Sequence, residues 1–128
     1  MIPISSKRYI LEIYLLQEAH GHATISGIAK VLKVTVSAAS KMAGKLKTEG
    51  YIHFQPYGTV TLTKAGLEIG QKLYQDHQVL MEFYQLIGVE EKLIRMKVSE
   101  VEMHIGTDVV FKIKSFIEDN KKNAWYVP

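Results

Sequence analysis

The hydrophobic period of this chain departs from helical spacing in one stretch, between Thr24 and Thr63, and that departure restricts the fold more than any other feature. Ile25 to Leu32 reads ISGIAKVL, followed by Lys33-Val34-Thr35, then VSAASKMAGKLKTEG, then YIHFQPYGTVTLT. Ile28, Ala29 and Leu32 recur at helical spacing, with Ser26 available as an N-cap. After the brief Lys33–Thr35 connection, with Thr35 as the next cap, Ala39, Met42, Ala43 and Leu46 form one face of a second helix. Gly50 lies just past its end. Two short helices joined so tightly predict a helix-turn-helix, whose second helix can enter a major groove. From Ile52 the period becomes two: Ile52 and Phe54 alternate with polar residues, as do Val60 and Leu62, around a Pro56-Tyr57-Gly58 tip. A β-hairpin attached to a helix-turn-helix is the winged-helix arrangement.

The second helix offers Ser37, Ala38, Ser40, Lys41, Gly44 and Lys45 on its other face. Hydroxyls and small apolar groups reach base edges and thymine methyls, and lysines suit phosphates. Gly44 costs roughly 1 kcal/mol of helix propensity against alanine, a cost explained by close packing or by close approach to DNA. The expected DNA-contacting residues are Thr35, Ser37, Ala38, Ser40, Lys41 and Lys45, with Tyr57 of the wing on the backbone or minor groove. Charge agrees. Thr24 to Lys64 carries a net +5, Met1 to Ala23 sums to zero, and Ala65 to Pro128 carries −2. The whole-chain +3 therefore hides a basic module, the footprint expected for a phosphate backbone. An acidic protein partner is the competing reading, against which stands the absence of acidic residues from Ser37 to Lys47.

At 128 residues the chain holds one or two small domains, and 47% hydrophobic residues exclude a disordered chain. Without cysteine there is no disulfide, cysteine zinc site or thiol nucleophile. No nucleophile–base order, phosphate-cradling loop or paired acids point to an enzyme. No leader segment or bilayer-length apolar run is present, so a soluble, cytoplasmic protein without membrane contact is expected.

Elsewhere, Pro3 and the two serines predict the cap of a helix over about 7–19, with Tyr9, Ile10, Ile13 and Leu16 as its core face. His20-Gly21-His22 ends it. Two nearby histidines raise metal ligation, although beside a glycine at a helix end they read as a solvated cap. Thr63 caps a long helix over about 64–86, buried through Ile69, Leu73, Leu80, Phe83 and Ile87 and stopped by Gly88. Glu90 to Ile105 predicts another helix, with Leu93, Ile94, Val98 and Val101 apolar. A last helix, capped by Thr107 or Asp108, buries Val109, Val110, Ile113, Phe116 and Ile117. Asn120 to Pro128 reads as a polar tail containing Trp125-Tyr126. The architecture expected is mainly α: a winged helix-turn-helix DNA-binding domain over 1–70 and a helical dimerisation domain over 71–128. Apolar stripes too many for so small a bundle predict pairing with a second copy.

This order of elements resembles the diphtheria-toxin-repressor family, most of all its short manganese-transport-regulator branch. The resemblance covers Ser5 to about Asp119 and is carried by YILEIY at Tyr9 to Tyr14, SKMAGKL at Ser40 to Leu46, LTKAG at Leu62 to Gly66, and His77 with FYQLIGVEE at Phe83 to Glu91. It implies a dimeric repressor of metal-uptake genes, binding an operator in double-stranded DNA when Mn²⁺ or Fe²⁺ ties its first helix to its dimerisation half. The implied binuclear site takes an acid pair from the first helix, a histidine from the long helix and a Glu-x-x-Glu-His run. Here His77 and Glu102 remain, while the other four positions hold Arg8, Leu11, Ser99 and Met103. Hard divalent ions need several oxygen ligands, and a thioether is a poor substitute. No cofactor is therefore expected.

Three readings of the altered positions follow. Arg8 stands where an ion stood and bridges to Glu102 near His77, since guanidinium suits a bidentate carboxylate contact and keeps its charge. Alternatively, Arg8 is a solvated side chain paired with Glu12, a contact contributing about 0.3 kcal/mol. A third reading relocates the metal to His77, Glu100, Glu102 and His104, with Glu12 in reach.

Overall fold

A computed structural model describes residues 2–55 and 58–121. They form α1 (Ile4–His20), β1 (Ala23–Thr24), α2 (Ile25–Leu32), α3 (Val36–Thr48), β2 (Ile52–Phe54), β3 (Thr59–Leu62), α4 (Lys64–Leu86), α5 (Glu91–Val101) and α6 (Thr107–Asn120). The chain divides into two compact units, 1–73 and 74–128, with the boundary inside α4.

In the first unit, α1, α2 and α3 pack around Ile10, Leu11, Ile13, Ile28, Ala39 and Leu46, all nearly or fully buried. The predicted helix-turn-helix is present, and Thr35 caps α3 by accepting a 3.0 Å hydrogen bond from the Ala38 amide. The turn is tightened by Lys33, a non-glycine residue in the left-handed region (φ 58°, ψ 44°). The alternating apolar residues form a hairpin in the register Ile52↔Leu62 and Phe54↔Val60. Its other side carries a strand that periodicity did not predict. Two residues, Ala23 and Thr24, pair with Val60 and Thr59, giving the sheet order β1-β3-β2.

That pairing moves the cap of α2. Thr24, extended as a strand residue, accepts from the Gly27 amide at 3.0 Å, so Ser26 lies inside the helix instead of capping it. Likewise α1 begins at Ile4, with Pro3 before it and no side-chain cap. Ser6 is therefore a helix-interior residue, fully buried, whose hydroxyl has no hydrogen-bond partner among the described residues. Gly21 ends α1 at φ 84°. Gln17 of α1 reaches the sheet, where its Oε1 accepts from the Leu62 amide at 2.8 Å. Thr63 caps α4 through the Gly66 amide, as the sequence predicts.

In the second unit, Leu80, Ile94, Val98 and Val110 form the core, flanked by Val79, Tyr84, Val101 and Ile113. Several expectations fail here. Val109 and Phe116 are exposed because each stands about 100° around α6 from a buried neighbour, Val110 and Ile117, and Ile87 is exposed just past the end of α4. The fifth helix ends at Val101, and Val101 to Ile105 continue as tight turns. Gly106 occupies the cap position of α6 without a capping side chain, since the Thr107 hydroxyl donates to Asp76 instead. The helix runs through Asn120, which the sequence assigned to the tail; Trp125 and Tyr126 lie outside the described residues. No described helix is long and apolar enough to cross a membrane.

Candidate nucleic-acid interface

The buried face of α3 is Ala39, Ala43 and Leu46. Helical geometry then sets Ser37, Lys41, Gly44 and Thr48 along the opposite face. Ser37, Ala38, Lys41 and Lys45 are exposed and Ser40 half-exposed, while Thr35 stands exposed at the helix start with its oxygen already capping Ala38. The structure thus brings six of the seven expected contact residues onto one helix and its cap. The seventh, Tyr57, lies outside the described residues.

Two further residues belong to this surface. Val36, the first residue of α3, is 57% exposed, and Val34 in the turn is also exposed. Sequence reasoning passes over them because a valine beside a helix start reads as core. Spacing gives no warning at Val36, which falls three residues before Ala39 and seven before Ala43; only its place at the first residue of α3 leaves it exposed. Thr48 donates its hydroxyl to the Gly44 carbonyl at 3.0 Å. The apolar tips and lysines together offer methyl contacts and phosphate contacts on one edge.

The residual metal positions have a different character. His77 Nδ1 sits 3.1 and 3.3 Å from the two oxygens of Glu102. The two side chains are 13% and 4% exposed, and Tyr74 stacks on the imidazole at 6.1 Å between ring centres. The surviving carboxylate thus already has a partner in the surviving histidine. Leu11 is 1% exposed, an aliphatic core residue, and Met103 is also buried. Among the described residues no three His, Asp or Glu side chains converge as metal ligands. The relocated set is not assembled: Glu100 is exposed and pairs with Lys97 at 3.7 Å, and His104 is exposed. His20 and His22 line a cavity of about 400 Å³ with Leu16 and Thr24, without a third ligand of the histidine or carboxylate type. A guanidinium, an aliphatic chain, a hydroxyl and a thioether do not fit a binuclear site for hard divalent ions.

A helix-turn-helix, a wing and a basic helical edge define a winged-helix transcription regulator. The family model for the N-terminal DNA-binding domain of iron-dependent repressors matches residues 4–60. The transcriptional regulator MntR of Lysinibacillus sphaericus (strain C3-41) is 34% identical over 119 residues, spanning 93% of this chain and 86% of its own. MntR of Geobacillus kaustophilus (strain HTA426) is 36% identical over 114 residues, spanning 89% and 81%. The chain belongs to the diphtheria-toxin-repressor family of metal-dependent transcriptional regulators, in its manganese-transport-regulator branch; it is a regulator and not an enzyme. Two solved structures share the fold. A manganese-dependent transcriptional repressor in complex with manganese superposes with a TM-score of 0.80 at 21% identity, over 88% of this chain and 52% of that one. T. acidophilum IdeR gives 0.79 at 15%, over 92% and 56%. The chain spans about half the length of these solved chains.

Proposed function

We propose that this chain is a cytoplasmic, homodimeric repressor that binds an operator in double-stranded DNA without the binuclear metal activation of its relatives. The observation that carries this reading is the ligand set: four of six positions hold Arg8, Leu11, Ser99 and Met103, and Glu102 is engaged by His77. Exposed apolar residues of the second unit, Phe111 at 65% and Phe116 at 52% among them, support pairing with a second copy. Two copies present two α3 helices, the arrangement that reads successive major grooves. Domain roles follow, with DNA contacts in 1–70 and dimer contacts in 71–128. Thr35, Ser37, Ala38, Ser40, Lys41 and Lys45 contact the groove and its phosphates, and Tyr57 the backbone beside it. Arg8 puts a fixed positive charge at a position where the family resemblance implies a carboxylate ligand, a substitution that repels a divalent ion.

A repressor that shares the fold is manganese-dependent and holds manganese in its structure, so the test is direct. Purified protein is titrated against a duplex enriched from a random 30-base-pair pool, in EDTA and in Mn²⁺. Equal affinity in both, with no stoichiometric metal in elemental analysis, is the expected result. A chelator-dependent loss of tenfold or more contradicts the metal-free reading.

A further inference from the structure

Glycine in the middle of a helix has two ordinary explanations inside its own chain: a backbone conformation other residues avoid, or a neighbour that leaves no room for a Cβ. Of the nine glycines, four have positive φ, and Gly27, Gly66, Gly70 and Gly106 each face an atom that a Cβ would crowd. Gly66, for instance, lies under the carbonyl of Tyr51 and Gly70 against the ring of Tyr14. Gly44 fits neither explanation. It sits in the interior of α3 with ordinary helical φ, and a Cβ built on it meets nothing within 4 Å. The packing explanation, open at the level of sequence, is thereby removed.

Its surroundings identify what needs the space. Gly44 lies on the face of α3 opposite Ala39, Ala43 and Leu46, with Lys41 and Lys45 exposed on either side. Ser37 and Thr48 complete that face, so no bulky apolar side chain stands along it. A notch flanked by two cations suits a polyanionic surface, whose phosphates the lysines hold while the helix backbone moves close.

We infer that Gly44 is the point where the backbone of α3 abuts the wall of the DNA major groove, a docking residue that sets how deeply the helix enters. This rests on the DNA-binding reading and adds a residue whose function is its missing side chain. It requires stability and binding to move in opposite directions on substitution. Alanine and leucine are better helix formers than glycine and find open space in the free protein. Gly44→Ala and Gly44→Leu are therefore expected to raise the melting temperature by roughly 2–5 °C. Both are expected to weaken binding to the enriched duplex, about fivefold for alanine and about a hundredfold for leucine, as bulk forces the helix out of the groove.

Thermal unfolding and fluorescence anisotropy on the full chain give both readings. Affinity of Gly44→Leu within twofold of the parent overturns the docking role while leaving DNA binding intact. A fall in melting temperature for both variants also overturns it, since it restores a packing role within the chain. If the parent protein enriches no duplex and binds none at low salt, the DNA-binding reading fails and this inference with it.

Discussion

Lys33 is held at φ 58° and ψ 44° to close the turn before α3, a conformation costing an L-residue roughly 1–2 kcal/mol. The turn itself requires it, because the Lys33 and Val34 amides return to the Lys30 and Ala29 carbonyls at the end of α2. Glycine removes that strain but loses more freedom on folding, roughly 0.5–1 kcal/mol. Lys33→Gly is accordingly expected to stabilise the protein by about 0.5–1 kcal/mol, read from urea unfolding. No sequence pattern announces this residue, since lysine is an ordinary helix former and the left-handed cap appears only in the folded turn. Capping residues show the same divide. Thr35 was legible because a hydroxyl directly precedes the apolar period. The choice between Thr24 and Ser26 was not, because the pairing of Thr24 with Thr59 decides it from 35 positions away.

At the scale of elements, α2, α3 and the hairpin were readable because each combines a clear period with punctuation by threonine or glycine. The two-residue strand Ala23–Thr24 is too short to show a period, and it exists only through its partner β3. The stripes of the second unit were read too broadly. Val110 and Ile117 face the core while Val109, Phe111 and Phe116 face outward, and composition alone cannot divide an apolar helix into two sides. Gln17 shows how elements are tied together. Its side chain spans from α1 to the Leu62 amide in the wing's second strand, a part-buried bond of 2.8 Å. Leucine preserves helix propensity and bulk but leaves that amide without its acceptor. Gln17→Leu is expected to lower stability by about 1–2 kcal/mol. Amide exchange at Leu62 should accelerate while exchange in the middle of α5 stays unchanged; uniform acceleration across the chain would point to general destabilisation instead.

For the whole molecule, the informative positions are those where the chain departs from its family. The loss of ligands that the family resemblance implies is legible residue by residue, since leucine and methionine cannot replace oxygen donors for a hard ion. The pairing of Glu102 with His77, with Tyr74 stacked on the ring, was not legible from spacing, because it depends on how α4 meets the turns after α5. Metal-free action predicts that dependence can be put back. Arg8→Asp, Leu11→Glu, Ser99→Glu and Met103→His together supply the ligand types of the family. Without metal, the carboxylate at the buried position 11 is a charge without compensation, and the combined variant should be less stable than the parent by several kcal/mol. Manganese that binds only the folded state recovers RT ln(1 + [L]/Kd), about 2.7 kcal/mol at a hundredfold excess over Kd. The melting temperature of the variant should therefore rise on adding Mn²⁺ and fall in EDTA, with that of the parent insensitive to both. DNA affinity should follow the same division. A variant binding the duplex equally well with and without metal, despite a manganese-dependent melting temperature, would separate ion binding from DNA control. The six positions would then not account for the metal-free action proposed for the parent.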